Sequence, residues 1–451
     1  MPSFLIQTLG CKLNQLESEA IADAYTSQGF DEAVDNEKEP TVIIINTCTV
    51  TSKADQKARR VIRKALRDYP KAKVIVTGCY AQLNKDDILK LETDGRQRLS
   101  VVSKDKIIKQ EENNLFQFNP KKFSRHTRSF LKIQDGCDKH CSYCKIRLAR
   151  GKSVSLDAEE VLRRLRVLEE THAEAVLTGV NISQYFNRSP HTDREPKVRR
   201  RHGEEEEKVF GLSELLDYLL SGTKKIAIRL SSLAPESIDE KLAKALAHPR
   251  IRPHFHLSIQ SCSDKILEKM GRTYNARTVE NAVNLLRGAK NDPFVACDII
   301  TGFPGETETE FEETFNLCKK LDIAWIHVFP FSKREGTPAF SFTGCVAESE
   351  VSRRVEILTE LAKRGRAEYA RRWLGKEVDV LVEREKYFTT NHSNRLEDKK
   401  KERYCNGTSE NYLKALVRCA GEAPAAGTVV RCKLIEAGDF EEYDVVAENV
   451  E

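Results

Sequence analysis

No apolar run in these 451 residues approaches the roughly 18 that a bilayer-spanning helix needs, which excludes such a helix. The opening stretch MPSFLIQTLGCKLNQ lacks a basic n-region and a long apolar h-region, so no secretory signal is expected and a cytoplasmic location is. No segment of about 20–50 residues recurs, which argues against solenoids and propellers. Nor is charge of one sign in large excess. The 74 Lys and Arg against 69 Asp and Glu leave +5, an average field too weak to establish a nucleic-acid partner. What remains, 40% hydrophobic and 32% charged residues, is the composition of a soluble globular chain, neither collagen-like nor globally disordered. At roughly 100–200 residues per domain, the length allows two to four domains, each able to bury a core.

Cysteine, by contrast, is plentiful, with 13 residues. A disulfide framework is not expected at this size in a reducing compartment, and an odd count cannot pair completely. Metal ligation and buried thiols are what is left.

Apolar runs divide the chain. In the first 100 residues, runs at 4–6, 42–45 and 74–76 each precede a helical pattern, at 15–28, 53–68 and 84–92. That alternation predicts an open parallel α/β sheet. A second alternation occupies 129–370, with strands expected at 130–134, 175–177, 226–230, 255–259, 295–300 and 325–329. Helical stretches lie between them, among them 157–170, 236–247, 277–289 and 306–320. Six strand–helix units predict a partial or full βα barrel. From 374 onward, short runs at 378–382, 413–417, 428–434 and 443–447 predict a small all-β module. The expected domains are therefore 1–125, 126–370 and 374–451. Segments 187–208 and 392–403 are charged and poor in apolar residues, and read as a disordered insertion and a long exposed loop. Segment 52–67, SKADQKARRVIRKALR, places seven Lys and Arg and one Asp on an amphipathic helix, which serves either as a solvated face or as a grip on nucleic acid.

Two sets of three cysteines carry chemistry. Cys137, Cys141 and Cys144 form C-x3-C-x2-C just past an expected strand. Three thiolates so spaced can hold three irons of a four-iron, four-sulfur cluster and leave the fourth iron open. A zinc site is the alternative, with His140 as its fourth ligand. Cys11, Cys48 and Cys79 each sit just past the C-terminal end of an expected parallel strand. In an open α/β sheet those ends line one edge, so the three can meet in space. Gly10 and Gly78 permit tight turns beside them. The alternative is three buried thiols. Among the other seven, Cys297 and Cys318 read as core thiols.

The C-x3-C-x2-C spacing, Tyr143 within it and the barrel pattern resemble the radical S-adenosylmethionine (SAM) superfamily. Taken with TLGCKLNQLESE, NTCTVTSKADQKARR, TGCYAQ, CDKHCSYCKIRLARG, LTGVNISQY, RLSSLAPE, LSIQSCSDKILEKMGRTY, DIITGFPGETETEF and HVFPFSKREGTPAF, the chain resembles the methylthiotransferases of that superfamily over nearly its whole length. The C-terminal module resembles the family's TRAM domain, an OB-like RNA-binding barrel. GCKLNQLES with CSYCKIRLARG fits the bacterial branch that acts on N6-threonylcarbamoyladenosine at tRNA position 37. The branches acting on isopentenyladenosine and on a ribosomal protein usually read GCQMN and GCPKN.

The resemblance implies two 4Fe–4S clusters, on Cys11, Cys48 and Cys79 and on Cys137, Cys141 and Cys144, together with SAM. It implies reductive cleavage of SAM at the second cluster, sulfur held at the first, and a second SAM as methyl source. A carbon radical suits the task, because adenine C2–H is not acidic and has no good leaving group. Implied partners are the tRNA anticodon stem-loop and an electron donor such as flavodoxin or ferredoxin, with a monomer as the default. SAM contacts are expected from Tyr143, Gly179, Asn181, Ser232, Gln260 and Arg272, most of them at the ends of barrel strands. Polar capping of turns, or for Arg272 a surface salt bridge, is the plainer alternative. His327 lies in a strand-like run and either projects into the barrel or, as the preferred reading, is a satisfied core histidine. The segment GFPG at 302–305 reads as a shaped turn rather than a phosphate loop. The chain departs from the family pattern at Cys262, where Gly is usual, and at Arg147, where Pro is usual. The C-terminal module is net acidic, which weakens its case for RNA unless Lys399, Lys400, Lys401 and Arg403 form a basic patch. A different class of reading, a non-catalytic metal-bearing RNA-binding protein, stays open at this point.

Overall fold

The computed structural model describes residues 2–33, 39–108, 116–120, 127–188, 209–387, 403–419, 421–438 and 442–450. Its first sheet is wholly parallel, in the order Asp31–Glu32, Ser3–Thr8, Val42–Thr47, Lys73–Gly78, Leu99–Val101. The central strand, VIIINT, is apolar on both faces because both are covered. Ile44 packs with Phe4, Ile6 and Ile21 beneath helix Lys12–Ser27. Ile43 and Ile45 pack with Ala58 and Ile62 of helix Ser52–Asp68 on the other side. Thr51 starts that helix by accepting a hydrogen bond from the Ala54 amide. The two outer strands, of two and three residues, are too short for periodicity to reveal.

Six parallel strands then follow in chain order: Ser129–Lys132, Glu174–Thr178, Ala227–Leu230, His254–Gln260, Phe294–Thr301 and Trp325–Pro330. They pair in threes, and parallel bridges at Ile228–Ile251 and Leu233–Leu257 join the two sets. The barrel is thus an open arc of six. Alternation sorts its side chains. Phe255, Leu257, Ile259, Val295, Cys297 and Ile299 enter the main core under the helices, which leaves His254, His256, Gln260 and Asp298 on the concave side. Helix Lys12–Ser27 lies against that side of the first two strands, with Leu13 and Leu16 on Phe130 and Val176.

Helix Glu348–Trp373, which the sequence reading did not single out, links the arc to the C-terminal module. Leu358 and Ala362 belong to the main core, Tyr369, Ala370 and Trp373 to the C-terminal one. The module is a closed five-stranded barrel in the order Glu377–Tyr387, Arg403–Ser409, Lys414–Cys419, Val445–Asn449, Val429–Ala437. Strand Arg403–Ser409 was unexpected, because Asn406, Gly407 and Ser409 read as turn residues. Arg403 is therefore strand rather than loop, and 392–402, with Lys399, Lys400 and Lys401, lies outside the described residues. Of segment 187–208, Asn187–Arg188 pairs with Val209–Phe210, and 189–208 lies outside the described residues. Among the described residues no helix is long and apolar enough to cross a membrane.

Candidate functional site

The first sheet brings Cys11, Cys48 and Cys79 to one edge. Cys11 precedes helix Lys12–Ser27, Cys48 follows strand Val42–Thr47, and Cys79 opens helix Cys79–Leu83. Asn14 ties their loops together by donating to the carbonyls of Leu9 (2.7 Å) and Thr47 (3.1 Å). The loops leave no room for side chains at the two glycines. A Cβ on Gly10 would lie 2.7 Å from Cys48 Cβ and 3.0 Å from its Sγ, and one on Gly78 would lie 2.3 Å from the Thr47 carbonyl oxygen. Both glycines also have positive φ, 114° and 98°. Burial pushes the Cys48 thiol up to about 11, against the pull of the Val50 and Thr49 amides that point at it, and Cys11 and Cys79 both act on it electrostatically.

The second triad sits on the loop after strand Ser129–Lys132. The Cys137 amide donates to Gly151, and the Ile146 amide points at Cys144 Sγ (3.4 Å). The Ser142 hydroxyl and amide fasten the loop to the carbonyls of Lys269 and Met270. Burial raises the Cys141 and Cys144 thiols, the latter to about 11. His140 turns both ring nitrogens toward the Arg147 guanidinium, an arrangement unsuited to metal ligation. Among the described residues no three His, Cys, Asp or Glu side chains are grouped to hold a single ion. A four-iron cluster asks for something else, one thiolate per iron across the corners of a cubane, and each triad offers three such thiols with amides aimed at sulfur.

Arg150 joins the two triads. It ends helix Ile146–Arg150, which directly follows Cys144, and its Nε donates to Cys79 Sγ at 3.2 Å. Its Nη1 meets Glu17 at 2.9 Å and both Asp135 oxygens at 3.1 Å, and its Nη2 donates to Asn14. Lys104 bonds Glu17 (2.8 Å) and approaches Cys79 Sγ (3.6 Å), while Lys132 pairs with Asp135 (2.5 Å). Burial alone would raise both carboxyls. Arg150 and the lysines overcome it, holding Glu17 at about 2 and Asp135 well below the carboxylate range. The sequence reading missed this network, whose members lie more than 130 residues apart at the extremes and carry no local signature.

The expected SAM contacts divide. Asn181 Nδ2 lies 3.8 Å from Cys137 Sγ. The Asn181 amide and the close approach of Gly179 are both set by Gln134, whose carbonyl oxygen a Gly179 Cβ would meet at 2.7 Å. Arg272 is no surface salt bridge: it donates to the Tyr143 hydroxyl (2.7 Å) and acts electrostatically on Cys141. The Tyr143 ring is edge-on to Phe303 (6.3 Å), so its body anchors the loop. Ser232 spends its hydroxyl on His256 Nδ1 (2.6 Å). Gln260 stands at a register shift with φ 71°, a conformation non-glycine residues adopt rarely. Cys262 turns away from this rim into the main core, where Cys297 and Cys318 are also buried, so its thiol does not crowd the pocket. Segment 302–305 is a turn, with positive φ at Gly302 and Gly305.

The concave side of the arc, hereafter its chamber, gathers polar and aromatic side chains. The preferred reading of His327 is overturned in favour of its alternative: the ring is exposed, faces His256 (5.2 Å between rings) and accepts from Trp325 Nε1. Val328 packs on the core instead, one step along the pleat. His256 Nε2 lies 3.2 Å from Asp298. Tyr412, on a turn of the C-terminal barrel, stacks on His254 at 3.8 Å and closes the end where the strands begin. Lys12 reaches the same space, 5.9 Å above the Tyr412 ring.

Residues 3–97 match the family described as uncharacterized protein family UPF0004, and 131–318 match the radical SAM superfamily. The threonylcarbamoyladenosine tRNA methylthiotransferase MtaB of Treponema pallidum is 35% identical, over 97% of this chain and 99% of its own length. The protein of the same name from Bacillus subtilis is 32% identical, over 97% and 95%. The tRNA-2-methylthio-N(6)-dimethylallyladenosine synthase of Jannaschia sp. is 29% identical, over 84% and 83%. A solved structure, the radical SAM methyltransferase TsrM of Kitasatospora setae, aligns over 75% of this chain and 77% of its own with a TM-score of 0.47 and 14% identity. A parallel sheet that gathers one thiol triad, a six-stranded arc that carries another, and kinship along almost the entire length place the chain in the family of radical SAM tRNA methylthiotransferases.

Proposed function

We propose that this protein adds a methylthio group to C2 of N6-threonylcarbamoyladenosine at position 37 of tRNA. The observation that carries the reading is the pair of three-thiol sites tied to each other through Arg150. Cys11, Cys48 and Cys79 hold one 4Fe–4S cluster, and Cys137, Cys141 and Cys144 hold the other. When bound, the clusters and SAM supply the one-electron chemistry that an unactivated C2–H requires, and the sulfur and methyl that replace it. The protein's own part is placement. Asn181, Gly179 and Arg272 shape the rim beside the second triad, and the amides at Cys48 and Cys144 stabilise negative sulfur. Segments 1–125, 126–370 and 374–451 act as domains of a monomer that receives the anticodon stem-loop in the cytoplasm, with a flavodoxin or ferredoxin as electron source.

Anaerobic reconstitution tests the reading. About eight irons per chain are expected, falling to about four when Cys11, Cys48 and Cys79 are all changed to Ala. The reconstituted protein, given SAM and reductant, should convert threonylcarbamoyladenosine in tRNA to its 2-methylthio derivative, read by nucleoside mass spectrometry. Product on isopentenyladenosine tRNA alone would move the protein to the sister activity. One zinc per chain with no SAM cleavage would make it a binding protein.

A further inference from the structure

Four cations surround Tyr412 in the chamber, and three of them already have carboxylate partners. Arg229 forks onto Glu174 at 2.7 and 3.1 Å. Arg128 pairs with Glu383 at 3.0 Å, and Arg366 with Asp444 at 2.5 Å. Lys12 is different. Among the described residues it has no ion pair and no hydrogen bond, and its ammonium lies over the Tyr412 ring. Its backbone follows Cys11 directly, so the ammonium starts from the edge where the first triad gathers and projects into the arc. It is half-buried: protein surrounds it, yet water reaches it, as it also reaches His327 across the chamber.

The one carboxylate that favours its charge, Glu174, acts only at a distance and is already held by Arg229 and Arg252. A half-buried ammonium without a paired counter-charge is unfavourable unless something anionic arrives. The backbone phosphates of a folded RNA suit the exposed basic helix better than a single ammonium lodged within an arc of strands. The anion that enters must belong to a group narrow enough to follow a base inside. The threonylcarbamoyl substituent is such a group, since it ends in a carboxylate beside a hydroxyl. On the reading proposed above, on which this step rests, we infer that Lys12 is the specificity-determining residue that receives the threonyl carboxylate of the substrate base. The ammonium supplies a charge-assisted hydrogen bond. Tyr412 and His254 form the floor beneath it, and His256 and Asp298 stand farther along the concave wall. A neutral N6 substituent finds no such partner and leaves Lys12 uncompensated, so discrimination has both an attractive and a penalising component.

The experiment uses the reconstituted full-length protein and anticodon stem-loops that differ only at nucleotide 37: adenosine, threonylcarbamoyladenosine, or the latter as its carboxylate methyl ester. The wild type should bind the acid at least about tenfold more tightly than the ester, the discrimination expected of a charge-assisted hydrogen bond. Lys12→Gln should bring the acid-to-ester ratio close to one, and Lys12→Arg should restore part of it. Iron per chain checks that the variants are intact, and the wild-type acid-to-ester comparison stands without any variant. Equal wild-type affinity for acid and ester, or an undiminished ratio in an iron-replete Lys12→Gln protein, would overturn the assignment. Absence of methylthio product on every wild-type tRNA would instead remove the underlying function, which separates the two failures.

Discussion

Replacing Arg150 by Gln tests the junction between the two thiol sites. The substitution removes two contacts with Asp135, two with Glu17, one with Asn14 and one with Cys79 Sγ. It leaves two carboxylates, both almost fully buried, with only Lys104 and Lys132 for compensation. Breaking one partner out of a buried ionic group costs about 3–5 kcal/mol. The acid limb should move as well. Glu17 has its folded pKa depressed to about 2 from an ordinary 4.5, so it contributes stability above the unfolded value and loses it as pH falls through the folded one. The difference corresponds to about 3 kcal/mol, present at neutral pH and lost between about pH 4.5 and 2. Without Arg150 the folded pKa rises, and acid unfolding begins at higher pH. Urea unfolding of the cluster-free protein at pH 7 and pH 5, followed by far-UV circular dichroism, measures both effects. The reconstituted variant should also show a lower reduction potential for the first cluster, because a cationic N–H donor to sulfur has been lost. A stability within 1 kcal/mol of wild type, with an unmoved acid limb, would refute the role assigned to this network.

Three further outcomes follow from the geometry. Gly78→Ala forces a Cβ to 2.3 Å from the Thr47 carbonyl at a φ of 98°; iron analysis should find about four irons where the wild type has about eight. Arg60→Glu with Arg63→Glu acts on the exposed face of helix Ser52–Asp68, whereas Arg59 is engaged with the Tyr80 hydroxyl and is left alone. The pair should weaken tRNA binding and flatten its logarithmic salt slope by roughly 2, measured by filter binding across salt. Tyr412→Ala removes the stack on His254 and should cost about 2–3 kcal/mol in thermal unfolding, with more rapid solvent exchange at the His254 and His256 amides.

Legibility in the sequence followed the range of the forces involved. Strand and helix periods are local, so all six arc strands and the helices Ala158–Glu169, Ala276–Ala289 and Glu308–Lys320 stand within a few residues of expectation. The meeting of Cys11, Cys48 and Cys79 was also legible, because parallel strands carry their C-terminal ends to one edge as a matter of topology. Arg150, Glu17 and Asp135 were not, since an ionic network depends on docking between sheets and has no period. His327 was misread for a related reason. A histidine in an apolar strand looks buried, and only the curvature of the arc decides which face of that strand meets a core and which meets water.

The turn that carries Tyr412 gives the C-terminal barrel a second task. Ser409 accepts from Arg229 at 3.3 Å, and Asp444 clasps Arg366 of the long helix, so this barrel is bolted beneath the arc. A protein shortened before residue 374 would lose more than a peripheral module. It would become a vessel without a bottom, draining from below, and any short-lived reactive species generated inside would meet bulk solvent before it met its target.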